Sequence, residues 1–313
     1  MQYAISIVLS GISLGGQYAL IAIGYTLVYG ILRLINFAHG DVFMVAGLSM
    51  VYLTTYLSAV LPAGPAIAIS LLLMIIFTVA LGFVIERAAY KPLRQAPRMS
   101  VMISAIGVSY LLQNLATYVT GGLPKTYPSL PLLSETITIG GAPTKWVTVV
   151  TPFLVIALVV ALTQLINHTK VGMAMRAVAK DFETSQLMGI KINNVISMTF
   201  VIGSALAAVG SMLYFSNYPG VVPTSGAMPG LKAFVAAVFG GIGSIPGAVI
   251  GAFVIGICES IIKGLDTILT ALIPGYAALE LATFSDAFTF ALLIVILVFK
   301  PTGLFGEKAT DKV

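Results

Sequence analysis

The sequence predicts an all-α fold: a polytopic transmembrane helical bundle with about eight apolar segments, some of them broken or re-entrant. Three observations carry this prediction. Of 313 residues, 58% are hydrophobic and 9% charged, against about 25% charged in a soluble domain, and the mean hydropathy is +1.04. Apolar runs of about 18 residues or more recur along the chain, each enough to cross a hydrocarbon core as a helix. The basic residues gather in short connectors between these runs, so the pI of 9.2 reflects the positive-inside pattern and not a nucleic-acid patch.

The expected apolar segments are 3–31, 34–58, 62–86, 99–120, 147–167, 194–216, 231–263 and 284–299, all within one transmembrane domain, 1–313. No charged leader with a cleavage site precedes the first run, so no cleaved signal peptide is expected. The connector 87–98 holds Arg87, Lys91, Arg94 and Arg98 without an acid. The island 170–194 holds Lys170, Arg176, Lys180 and Lys191, and the tail holds Lys300, Lys308 and Lys312. These three regions are expected in the cytoplasm. The connector 121–146, with four prolines and only Lys125, Lys145 and Glu135 charged, is expected outside.

Parity then constrains the last third. If 194–216 crosses outward and the tail returns inside after 284–299, then 231–263 begins and ends on the same side. It is too short for two full spans at about 1.5 Å per residue. A re-entrant or broken pair of half-helices fits, hinged at Gly240, Gly241, Gly243, Ser244 and Gly247. Irregular backbone at membrane depth is tolerated where it lines a cavity, although glycines also allow close helix packing. Counting backwards places the N-terminus outside, and a further break near residue 36 would reverse that. A faint internal repeat pairs 37–47 with 240–251, each a glycine–polar step before an apolar helix, as in transporters with interrupted helices in two halves.

Arg33, Asn36, His39 and Asp41 fall between apolar runs, where ionisable groups are functional candidates. Three readings stand: Asp41 caps the following helix, Arg33 sits at the cytoplasmic interface, or the group forms a gate or solute-facing wall. A proton relay is disfavoured, having only Asp41 and His39 to work with. Gln113 and Asn114 are expected to bond neighbouring helices, and Glu259 to pair with Lys263 at i,i+4 near an interface. The lone Cys258 excludes disulfides within the chain, and His39 and His168 lack ligand spacing, so no metal is expected.

The island reads as a cytoplasmic helix between Met173 and Met188. Gly172 precedes it, Gly189 supplies its left-handed cap, and Met175, Val178 and Phe182 form an apolar stripe for the membrane or a partner groove. Glu183, Thr184 and Ser185 precede Gly189 by six, five and four residues. No G-x-x-x-x-G-K-[ST] loop is present, so this chain has no ATP site of its own.

Several stretches together resemble the permease subunits of ATP-binding-cassette importers for branched-chain amino acids. They are INFAHGDVFMVAG (35–47), ERAAYKPLR (86–94), ISAIGVSYLLQN (103–114), VGMAMRAVAKDFETSQLMGI (171–190), FGGIGSIPGAVIGA (239–252) and KPTGLFG (300–306). The island is similar to the docking loop of bacterial importers, Glu-Ala-Ala, three residues, then Gly, with Thr184 and Ser185 in place of the alanines. The resemblance implies a non-enzymatic permease of the shorter, high-affinity type, multi-pass in the bacterial inner membrane with a cytoplasmic C-terminus. Implied partners are two cytoplasmic ATPases that bind the ATP, a second related permease, a periplasmic amino-acid-binding protein and membrane lipid, with no nucleic acid. Asn36, His39, Gly40, Asp41, Gly240, Gly241, Gly243 and Ser244 are expected along the solute pathway. Arg176, Asp181, Glu183 and Gly189 are expected to dock the ATPase. An ion-coupled carrier of small neutral solutes is the alternative; such carriers usually place acidic residues deep in their spans, and here Asp41 stands nearly alone. An intramembrane serine protease would require Ser244 to face His39 or His168.

Overall fold

The computed structural model describes residues 2–94, 96–272 and 281–306; Lys308 and Lys312 fall outside them. Eight described helices are long and apolar enough to cross a membrane, and a ninth apolar helix is short. The long ones are α1 (Gln2–Leu32), α2 (His39–Ser58), α3 (Ala63–Ile85), α4 (Arg98–Thr120), α6 (Trp146–His168), α9 (Ile192–Asn217), α11 (Ile245–Leu272) and α12 (Ser285–Phe299). The short one is α10 (Ala227–Gly240). A turn of helix, α5 (Pro131–Ser134), and two connector helices, α7 (Lys170–Lys180) and α8 (Phe182–Leu187), complete the set. The bundle is that of a multi-pass membrane protein.

Local chemistry sets most boundaries. Pro62 and Pro97 stand immediately before α3 and α4, where a missing N–H costs nothing. Gly121, at φ 69°, ends α4 in the left-handed conformation. One boundary moves: the expected loop after residue 86 stays helical, as a π turn over Glu86–Tyr90 and a 3-10 turn over Lys91–Leu93.

Helix α1 is the axis of the core. Ala19 to Ile23 are wholly buried, and α9, α10, α11 and α6 surround it. Its periphery is different: α3, α4, α6 and α12 leave Leu72, Phe77, Ile103, Phe153, Val295 and Val298 exposed, as helices do where lipid replaces protein.

The two ends of the bundle differ in chemistry. At one, β1 (Lys125–Thr126) pairs antiparallel with β4 (Gly220–Val221), and β2 (Thr136–Ile139) with β3 (Ala142–Lys145). The start of α1 lies at this hairpin end, with Gln2 against Gly141 and the Tyr3 hydroxyl donating to the Gly264 carbonyl at 3.0 Å. The other end gathers Arg33, Arg176 and Lys180 around a cavity, and Arg94 there bonds Asn193. The N-terminus and the basic connectors are therefore at opposite ends, as expected.

The last third departs from expectation. Segment 231–263 is not a pair of half-helices: it holds most of the 14-residue α10 and the greater part of a full 28-residue span, α11. After β4 the chain descends in non-helical form, and α10 completes that crossing. Residues 223–226 form a hydrogen-bonded turn that leads into α10, with Ser225 N–H donating to the Val222 carbonyl at 2.9 Å and Ala227 N–H to the Thr224 carbonyl at 3.0 Å. The turn Gly241–Ser244 consequently sits at the basic end and not at depth. There Leu304 N–H donates to the Phe239 carbonyl and Phe305 N–H to the Gly240 carbonyl, each at 2.9 Å.

The break near residue 36 is also real. Arg33 takes φ 53°, and residues 34–38 re-enter the bundle before α2 begins beside Gly24 of α1. That level is eight residues, about 12 Å, above the last residue of α1. The orientation of α1 is unaffected, because the chain enters the break from the basic end and α2 leaves it toward the hairpin end, which keeps the parity of crossings.

The structural repeat pairs different segments from those the sequence suggests. Residues 33–41 correspond to 218–230, not to 240–251: in each, a long central helix leads into non-helical chain and then a helix that starts inside the bundle. The two copies run in opposite senses, since Gly24 packs near Gly203 and Leu20 near Gly210, while Ser13 accepts from Asn217. An inverted repeat with interrupted helices is the transporter pattern.

Candidate solute pathway and docking loop

The starts of α2 and α10 meet inside the bundle. A methyl group on Gly40 would lie 2.6 Å from the Gly226 carbonyl oxygen and 3.1 Å from the Gly230 Cα, so the two backbones touch without side chains between them. Beside this contact is a cavity of about 350 Å³ lined by Tyr25, Asp41, Ser109, Gln113, Gly230 and Phe234. Asp41 does not cap its own helix. Its carboxylate accepts from Ser109 Oγ at 2.5 Å and from Gln113 Nε2 at 3.1 Å, both on α4. Gln113 thus bonds a neighbouring helix as expected, whereas Asn114 bonds the Tyr110 carbonyl of its own helix.

Asn36 and His39 stand behind the cavity. Asn36 accepts from the Tyr90 hydroxyl at 2.7 Å. His39 is buried in the core as the first residue of α2, edge-on to Tyr25 at 5.1 Å, with Nε2 packed against Gly24. The eight expected pathway residues therefore divide. Gly40 and Asp41 line the smaller cavity, which is open between α4 and α10, with Asn36 and His39 in support, while Gly243 and Ser244 line a separate cavity of about 650 Å³ at the basic end. Gly240 packs on Gly247, and Gly241 on Gly306. Ser244 caps α11 by accepting from Gly247 N–H at 3.3 Å, and nothing brings it to His39. Arg33, at the rim of the larger cavity, fits the interface reading.

The island folds as two helices with a break at Asp181, not as one from Met173 to Met188. Thr169 caps α7 by accepting from Gly172 N–H at 3.1 Å, so Gly172 lies inside the helix. Asp181 caps α8, accepting from Glu183 and Thr184 N–H at 3.0 and 3.2 Å. This local bonding draws the backbone out of the helix and breaks it. Gly189, at φ 83°, closes α8 while Ile190 N–H donates back to the Ser185 carbonyl at 3.0 Å, a left-handed cap as expected. The expected stripe divides: Met175 and Val178 are buried against the bundle, while Phe182 is exposed as expected. Met173, Leu187 and Met188 are further outward apolar residues. Arg176 bonds the Ile166 carbonyl, which ties α7 to the end of α6, and Glu183 is exposed in the first turn of α8.

The profile of the family described as "Branched-chain amino acid transport system / permease component" matches residues 7–297. The chain belongs to that family. It is 39% identical to the high-affinity branched-chain amino acid transport system permease protein LivH of Salmonella typhimurium, over 99% of this chain and 98% of that protein. The similarly named BraD of Pseudomonas aeruginosa is 39% identical over 97% and 96%. A probable LivH of Methanocaldococcus jannaschii is 26% identical over 92% and 88%.

The permease also holds an ion cluster that its sequence pattern did not disclose. Lys232 on α10 is buried with its Nζ 2.9 Å from Glu259 Oε1 and 2.6 Å from Asp286 Oδ1. Glu259 is buried on α11, takes Lys263 Nζ at 2.6 Å and accepts from the Tyr18 hydroxyl at 3.0 Å. The expected Glu259–Lys263 pair exists, and it is one edge of a network joining α1, α10, α11 and α12. The available signal was Lys232 itself, a cation inside an apolar helix. A second such group is Glu86 at the basic end, which is fully buried, bonds Arg94 and accepts from Ser197 Oγ at 2.7 Å, tying α3 to α9.

Proposed function

We propose that this permease forms half of the membrane pathway of an ATP-driven importer for branched-chain or other small neutral amino acids. It works in the bacterial inner membrane, basic end and C-terminus in the cytoplasm, with a second, related permease, two separate ATPases and a periplasmic binding protein. The observation that carries this reading is the meeting of α2 and α10. Two interrupted helices from opposed repeats start at one cavity, the arrangement from which alternating access proceeds by rocking one repeat against the other. The relatives' names support the solute class, and the concentration of cations at one end supports the orientation.

The docking role falls to the α7–α8 loop. Its inner face, through Met175 and Val178, is part of the bundle core, while Leu187 and Met188 project outward. A partner that grips the outer face therefore moves the spans through the inner one. Asp181 and Gly189 act as caps that hold α8 in shape, Arg176 anchors α7, and Glu183 and Leu187 offer the partner surface.

The test is a complex reconstituted in proteoliposomes with ATP inside. No atom lies within 4 Å of a Cβ built on Gly189, so the side chain of Gly189→Arg clashes with no span; at φ 83° it strains the cap of α8, the element under test. It is expected to lower leucine uptake by at least about tenfold, the scale of one lost interface anchor, while reducing ATPase co-purification. Full uptake by Gly189→Arg would remove the docking role. Uptake that continues without ATP, driven by an ion gradient, would replace the importer with an ion-coupled carrier.

A further inference from the structure

Three carboxylates are fully buried among the described residues: Asp41, Glu86 and Glu259. Glu86 is paired with Arg94, and Glu259 with Lys232 and Lys263. Asp41 differs. Its bonding partners are the neutral Ser109 and Gln113, and no cation of the described residues forms an ion pair with it. A buried carboxylate without a counter-charge is costly to hold. This one borders the cavity of about 350 Å³, which opens between α4 and α10 where Ile106, Tyr110 and Leu231 are exposed, so there is room for a cation that the chain does not supply.

We propose that Asp41 receives the α-ammonium group of the transported amino acid, at a transient subsite inside the permease. The inference rests on the amino-acid import reading above. The remaining walls fit the other parts of a zwitterion. Phe37, Phe234 and Ile106 offer an apolar surface to an aliphatic side chain. The first turn of α10 also borders the cavity, at Gly226, Ala227 and Gly230, and its positive end complements the carboxylate. The volume lies near the lower end of the roughly 300–1,000 Å³ usual for small-molecule sites, which suits a solute of amino-acid size. The site assigns Asp41 a chemical preference as well: acids lacking an α-amino group have nothing to neutralise it.

The complete importer in proteoliposomes, assayed with radiolabelled amino acids, separates the possibilities. Asp41→Asn keeps the size of the side chain and is expected to lower uptake at least about tenfold, the scale of one charge-assisted hydrogen bond. Asp41→Glu is expected to recover part of the uptake. Equal uptake by wild type and Asp41→Asn would overturn this assignment alone. A wild-type complex that takes up no amino acid would overturn the import reading and this assignment with it. Should Asp41→Asn fail to assemble, photo-leucine on the wild-type complex gives an independent answer. Labelled peptides from 37–41, 106–113 or 226–234, competed by leucine, support the subsite; labelling elsewhere, or none above background, overturns it.

Discussion

Replacing Lys232 with methionine is expected to destabilise the permease by about 3–5 kcal/mol, the usual consequence of removing one partner from a buried ion pair. Lys232 holds two carboxylates at 2.9 and 2.6 Å. Without it, Glu259 keeps only Lys263, whose side chain is 48% exposed, and Asp286 loses its cation. The double variant Lys232→Met, Glu259→Gln is expected to regain part of the loss, because the remaining buried groups are then neutral. Reversible unfolding in mild detergent, followed by urea or steric trapping, gives both values. A single variant within about 0.5 kcal/mol of wild type would mean that the cluster is solvated and contributes only as surface pairs do. The cluster matters for function because it fastens the half-helix α10 to α11 and α12, and α10 begins at the solute cavity. Loosening it is expected to lower transport before the bundle unfolds.

The second large effect is expected from Gly40→Ala. The added methyl would lie 2.6 Å from the Gly226 carbonyl oxygen, against backbone that has no rotamer to escape into. Overpacking of this kind costs about 1–3 kcal/mol, and here it forces apart the starts of α2 and α10. Uptake is expected to fall at least tenfold, roughly the rate equivalent of 1.4 kcal/mol. Gly30→Ala is the control on the same chain, since no atom lies within 4 Å of its Cβ. Helix α1 tolerates alanine better than glycine at such a position. If both variants transport alike, the contact between the two interrupted helices is not part of the pathway's working geometry.

The cap at Gly189 and the glycine contact at Gly40 show how unevenly the sequence discloses its structure. Gly189 was legible because a left-handed cap is a local property: the residue that ends the helix needs positive φ, and glycine meets that need unaided. Gly40 was visible as a glycine beside polar residues, but its partner was not. The sequence suggested a repeat between 37–47 and 240–251 because both are glycine-rich, whereas the structure matches 33–41 with 218–230 by backbone course. Composition cannot reveal that likeness, because the second segment shares the path of the first and not its residues.

The same distinction runs through the spans. Hydropathy determined where nearly all of them lie, from α1 to α12, because burial in hydrocarbon acts on each segment separately and leaves its length in the sequence. It also determined that the basic connectors lie at the end opposite the N-terminus. Tertiary structure decided what depends on pairs of distant residues. It turned Met175 and Val178 inward, placed the Gly241–Ser244 turn at the basic end, and joined Lys232 to Glu259 and Asp286. Above all it left Asp41 at a cavity without a cation. A charge buried in apolar surroundings is defined by what surrounds it, and that is known only once α2, α4 and α10 have been brought together.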